Sequence, residues 1–264
     1  LHLCDRRQRQ MCIRDSYNDK AFDENREEIL NKCKSENVEY IVNVGASVIE
    51  SLECIKLANT HDFIYSSIGI HPYNAKGDKV QDLYDMYKNE DNKKIVAIGE
   101  IGLDYHFSKE DKVEQINCFI EQIELANTLK LPILVHTRDA SLETYKILKN
   151  EKKAEYGVLL HCFNPTDDLV RLVLERGYTV AFGGNITYKR AASFGDYLKK
   201  IPLEQIVVET DAPYLPPVPL RGTINNSTNL KYICKKLAEY KNVNEELIVE
   251  NVYNNALKFY KITD

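Results

Sequence analysis

Four short apolar runs each end in a side chain able to bind a metal: IVAIGE at Glu100, LPILVH at His136, GVLLH at His161 and IVVETD at Asp211. Imidazole suits zinc, manganese or iron, carboxylate suits magnesium or manganese, and a mixed set accepts several divalent ions. The chemistry such a set implies is metal-assisted hydrolysis. Each residue also has a plainer reading by itself. His136 or His161 could be a hydrogen-bonded core histidine, Asp211 a helix cap, and Glu100 the partner of a buried arginine. What joins them is their common position at the ends of apolar runs. In a parallel α/β barrel the carboxyl ends of all the strands open onto one rim, where residues distant in sequence converge.

The elements that must position them follow from the hydropathy pattern. From residue 38 onward, β-branched apolar runs alternate with amphipathic stretches. Strands are expected over 38–45, 63–70, 94–100, 131–136, 156–162, 178–184 and 204–211. Helices are expected at VIESLECIKLAN, KVQDLYDMYKNE and VEQINCFIEQIELANTLK. Short, near-continuously apolar runs spaced roughly 20–30 residues apart favour parallel strands joined by helices. The predicted fold is an α/β (β/α)8 TIM barrel, an architecture of typically about 250 residues. Its first strand is degraded or replaced. Ahead of the helical pattern AFDENREEILNKCKSEN, only MCI is apolar and four arginines crowd residues 6–14. The expected organisation is an aberrant N-terminal segment, 1–16, and one barrel domain over 17–264.

Composition narrows the class. The net charge of −5 argues against long-range attraction of a polyanion, so a nucleic-acid substrate would be held locally and transiently. No apolar run approaches the roughly 20 residues that span a bilayer, and no signal peptide is evident. Seven cysteines without a CxxC pair read as reduced thiols of a cytoplasmic protein. Cys33, Cys54, Cys118 and Cys234 fall in helical patterns and read as packing residues. No membrane association and no obligate protein partner is expected.

The motifs SIGIHPYNA, AIGEIGLDYH, PILVHTRDA with LLHCF, and VVETDAPYLPP, followed by an Arg-Gly pair at 221–222, run in this order along the chain. In that combination the sequence resembles the TatD family of metal-dependent deoxyribonucleases, a branch of the amidohydrolase superfamily. The resemblance implies two divalent cations per site (Mg, Mn or Zn), bridged by Glu100. His136 and His161 would complete the ligands of one ion, and Asp211 would bind the other and activate water. It implies 3′→5′ exonuclease action on DNA, on single strands or 3′ ends. His71 would touch a substrate phosphate, or else is a turn residue fixed by Pro72. Arg138 could grip a phosphate oxygen or pair with Asp104 or Asp139. Asp104 and Tyr105 could contact substrate or serve the structure. Arg221 sits in a Pro-rich loop that could cover the mouth. Small-molecule amidohydrolases and phosphotriesterases are the rival enzymes, but they commonly bridge their metals with a carboxylated lysine at this strand end.

One departure matters. The family's first strand ends in DxHxH, which gives two further histidine ligands, whereas alignment at Tyr17 sets Arg14 and Ser16 at those positions. The segment RQRQMCIRDS is similar to translated sequencing-adaptor sequence. The expectation is one intact metal site, one weakened site and reduced activity, with a catalytically impaired binding protein as the limiting case. The double substitution Arg14→His with Ser16→His should raise metal-dependent exonuclease activity. An assay of 3′-labelled single-stranded DNA checks this.

Overall fold

The computed structural model describes residues 10–90, 92–107, 109–151 and 153–263. Eight parallel strands form one sheet in sequential order: β1 Gln10–Asp15, β2 Val38–Val44, β3 Ile64–Ile68, β4 Ile95–Asp104, β5 Ile133–Arg138, β6 Val158–Leu160, β7 Thr179–Phe182 and β8 Ile206–Val208. Helices separate most successive strands, as parallel pairing requires, and β1 packs against β8. This is the predicted (β/α)8 arrangement. The first strand exists, but its pairing with β2 is interrupted between Gln10 and Met11 and again between Cys12 and Asp15. The degraded strand thus takes the form of irregular register.

Side chains at the carboxyl end of β1 close the sheet. Asp15 is fully buried and accepts hydrogen bonds from the Thr210 hydroxyl, from Ala212 N–H at 3.1 Å and from the Ser227 hydroxyl at 2.5 Å. Ser16 N–H donates to the Ala212 carbonyl at 2.9 Å. A buried carboxylate is tolerable only with donors of this kind. Beside it the buried Tyr17 hydroxyl bonds Ser227 Oγ at 2.7 Å.

Strand periodicity sorts the core into two regions. Ile41, Ile64, Ile133, Leu160 and Phe182 belong to the larger cluster, which includes the helix residues Ile55, Phe119 and Leu172. Val42, Ala97, Leu134, Leu159, Ala181 and Val207 form a second cluster with Tyr253 and Ala256 of the helix Glu245–Tyr260. Side chains two residues apart on a strand share a face. One step beyond Leu134, Leu159 and Val207 therefore stand His136, His161 and Glu209, a polar layer resting on an apolar one. The buried cysteines complete the packing, and burial pushes the Cys33 thiol up to about 11.

Strand β4 differs from its sequence pattern. Its apolar run was expected to end at Glu100, yet the strand continues to Asp104, with a register interruption between Ile98 and Ile101. Two glycines let β4 lie against β5. A Cβ on Gly99 would sit 2.5 Å from Leu134 Cβ, and one on Gly102, at φ +134°, would sit 2.1 Å from the His136 carbonyl oxygen. Gly102→Ala should destabilise the fold by about 2 kcal/mol or more. Urea unfolding midpoints measure the loss.

Candidate metal centre

The polar layer converges on one carboxylate oxygen. Glu100 is 1 % exposed. Its Oε1 lies 2.6 Å from His161 Nε2, 2.7 Å from His136 Nδ1 and 3.7 Å from His71 Nε2. His136 Nδ1 and His161 Nε2 are themselves 3.0 Å apart. Protons alone satisfy this knot poorly. If both nitrogens donate to Glu100, their N–H groups oppose each other across 3.0 Å. If one nitrogen is bare, its lone pair faces the carboxylate. A cation relieves both conflicts, so the donor set fits a divalent ion.

The outer nitrogens of the two rings explain their orientation. His136 Nε2 lies 3.1 Å from Asp104 Oδ2, and His161 Nδ1 lies 3.5 Å from Glu209 Oε1. Both carboxylates are fully buried. The Asp104 carboxylate behind His136 fixes its tautomer and turns the other nitrogen inward, the arrangement found behind metal-bound histidines, while Glu209 places a negative charge behind His161. Asp104 also accepts from the Tyr73 hydroxyl at 2.9 Å and from the His106 and Phe107 N–H groups at 2.8 and 3.2 Å. Burial raises the Asp104 pKa, but hydrogen bonds from His136, Tyr73 and Phe107 outweigh it and hold the carboxyl well below the usual carboxylate range. Glu209 Oε1 accepts the Cys162 N–H at 2.6 Å.

The remaining sequence candidates occupy distinct positions. His71 caps the short helix Pro72–Asn74, its Nδ1 accepting the Tyr73 N–H at 3.2 Å. Its atoms also fall within 4.8 Å of ligand atoms on Glu100 and His136. The turn reading and the site reading of His71 therefore hold together. With Nδ1 accepting, Nε2 of the neutral ring carries the proton, which makes His71 a donor toward the centre more readily than a ligand. Asp211, nine-tenths buried, follows β8 on the same rim with φ 61°, its carbonyl accepting Tyr214 N–H at 2.8 Å. Arg138 is exposed and lies over the Phe107 ring at 4.7 Å. It pairs with neither Asp104 nor Asp139; Asp139 contacts His106 Nδ1 at 3.0 Å. Tyr105 is buried in the core, with the Lys112 ammonium 4.4 Å from its ring centroid. Arg221 belongs to a separate wall of the mouth, over the Tyr188 ring at 4.3 Å. Lys94, at the start of β4, gives its ammonium to the Ala58 and His61 carbonyls at 2.8 and 2.6 Å.

A model of TatD-related DNases matches residues 16–261. The chain belongs to the TatD-related DNase family. YabD of Bacillus subtilis, named an uncharacterized metal-dependent hydrolase, is 36 % identical over 245 residues, covering 93 % of this chain and 96 % of its own. A protein of Pantoea ananatis named 3′-5′ ssDNA/RNA exonuclease TatD is 28 % identical over 245 residues, with 90 % and 94 % covered. The crystal structure of YjjV, a TatD homologue from Escherichia coli, superposes with a TM-score of 0.90 at 24 % identity, covering 97 % of this chain and all of that one. That likeness establishes the shared fold. Membership in the family makes this chain a metal-dependent hydrolase.

Sequence reasoning missed Glu209 and Tyr73. Glu209 had a signal: it lies two residues from Val207 and from Asp211, on the inward-facing parity of β8. Tyr73 had none, since only the folded loop brings it to Asp104. The Glu209→Gln substitution should weaken Mn2+ affinity about ten- to a hundredfold. Isothermal titration calorimetry provides the comparison with the unsubstituted chain.

Proposed function

We propose that the chain hydrolyses phosphodiester bonds of nucleic acid and acts as a 3′→5′ exodeoxyribonuclease on single strands or 3′ ends. The observation that carries this reading is the convergence of His136 Nδ1 and His161 Nε2 on the buried Glu100 Oε1. Glu100, His136 and His161 would hold a divalent cation, Mg, Mn or Zn. When bound, it would supply charge stabilisation at a phosphoryl oxygen and acidify a water.

The chain's own side chains do the rest. Asp104 and Glu209 orient the two imidazoles. His71 directs its Nε2 proton toward a phosphate oxygen. The Asp211 carboxylate holds the attacking water and takes its proton. Arg138 is exposed beside the ring of Phe107, which is 65 % exposed, and can meet a phosphate as a base stacks on that ring. The name of the Pantoea ananatis relative supports the substrate class.

For a second ion the carboxylates on offer are Glu100 and Asp211, since the Asp15 carboxylate at the end of β1 is taken up by Thr210, Ala212 and Ser227. One tight ion per chain is therefore the reading we favour. The rival, a small-molecule amidohydrolase bridged by a carboxylated lysine, finds no support at β4, where Lys94 is engaged at the opposite end of the strand.

With Mn2+ the protein should release mononucleotides from the 3′ end of labelled single-stranded DNA. Chelation by EDTA should stop the release, and Glu100→Gln should lower it at least about a hundredfold. Turnover of lactones or phosphotriesters in preference to DNA would reject the proposal.

A further inference from the structure

The mouth carries a second feature that the metal cluster does not use. A cavity of 640 Å³ is lined by Tyr188, Arg190, Pro213, Tyr214 and Arg221, among others. Pro213 is two residues beyond Asp211, so the cavity lies beside the end of β8. Its volume falls in the range of small-ligand sites, about 300–1,000 Å³.

The cavity presents concentrated positive charge. The Arg221 guanidinium lies 4.3 Å from the Tyr188 ring centroid, and Arg190 lies 5.6 Å from the same ring. Both arginines are exposed, and among the described residues neither forms an ion pair with a carboxylate. Two guanidinium groups lining one cavity give it a positive local field that favours an anion. The Tyr188 hydroxyl donates to the Pro216 carbonyl at 2.9 Å, which fixes the ring on which both cations rest.

The cavity also presents an immobilised aromatic face. Tyr214 is 58 % exposed, yet its hydroxyl is tied to Asp19 Oδ2 at 3.1 Å. An anchored, solvent-facing ring in a cavity that two guanidinium groups also line matches one repeating unit of a nucleic-acid strand, with a phosphate for the cations and a flat base for the ring. Because the chain as a whole is acidic at −5, such a strand must be gripped by local charges of this kind.

We propose that this cavity is a subsite for a nucleotide of a single-stranded substrate adjoining the one at the metal centre. Arg190 and Arg221 hold its phosphate, and Tyr214 stacks on its base. The inference rests on the nucleic-acid reading above and extends it to Tyr188, Arg190 and Tyr214.

Binding of a fluorescein-labelled eight-nucleotide single-stranded DNA, followed by anisotropy in EDTA across a salt series, tests it without requiring turnover. Arg190→Ala should weaken binding about tenfold and flatten the salt dependence by about one phosphate, a change of about 0.7 in the log–log slope. Tyr214→Leu should weaken binding about fivefold or more while leaving the slope unchanged. Arg171→Ala, which removes a surface arginine paired with Asp168, is the control and should bind as the unsubstituted chain does. Wild-type affinity in both Arg190→Ala and Tyr214→Leu would overturn the subsite. So would displacement of the DNA by octaglutamate as effectively as by unlabelled DNA, because charge alone would then explain binding. Cleavage of labelled DNA with Mn2+ is scored separately. Cleavage with substitution-insensitive binding defeats the subsite alone, whereas sensitive binding without cleavage defeats the nuclease reading and leaves the subsite standing.

Discussion

A carboxylate at 1 % exposure has lost nearly all its water, and burial of an ion without compensation is among the most costly arrangements a fold can contain. Glu100 is in that position, and much of the surrounding architecture serves to compensate it. Two imidazoles approach its Oε1 within 2.7 Å. Each imidazole is backed by a second buried carboxylate, so the layer alternates acid, ring and acid from Asp104 to Glu209. The three buried acids Asp104, Glu100 and Glu209 would repel one another unless protons or a cation in the layer offset their charge. The same constraint that makes the layer a good cation trap therefore makes it a poor place for any neutral substitute.

Backbone packing determines whether the layer can assemble. Glu100 reaches His136 because β4 approaches β5 at Gly99 and Gly102, and the register interruption between Ile98 and Ile101 sets the facing of the residues that follow. Leu134, Leu159 and Val207 support the layer from below. Their packing fixes the azimuth of each strand, and with it the direction of the side chain two residues on. An apolar residue in the barrel thus acts on the site through the alternation of the strand that carries it.

Much of this was legible in the amino-acid sequence because it depends on local pattern. Apolar runs located seven strands, and the residues ending those runs are the ones that meet in space or share the rim. The extension of β4 to Asp104 was not legible, since Glu100 and the two glycines around it interrupt the apolar signal and only pairing with β5 sustains the strand. The first strand was misleading for a related reason. Gln10–Asp15 holds only a three-residue apolar run, Met11 to Ile13, yet tertiary pairing with β2 imposes extended structure on it. The tie of Tyr73 to Asp104 was hidden because a hydrogen bond between a loop and a distant strand leaves no periodic trace. Instead of the expected pairing with Asp104 or Asp139, Arg138 lies over an aromatic ring three positions beyond β4, a contact that charge patterning alone does not suggest.

The tether formed by Asp15 joins the first strand to the last. Its carboxylate ties down Thr210 and Ala212, the residues on either side of Asp211. The first strand thereby steadies the rim that carries Asp211 as a splint steadies a joint. Both neighbours of Asp211 therefore hang on one carboxylate nearly two hundred positions earlier in the chain, so the two ends of the sheet are fastened at a single point.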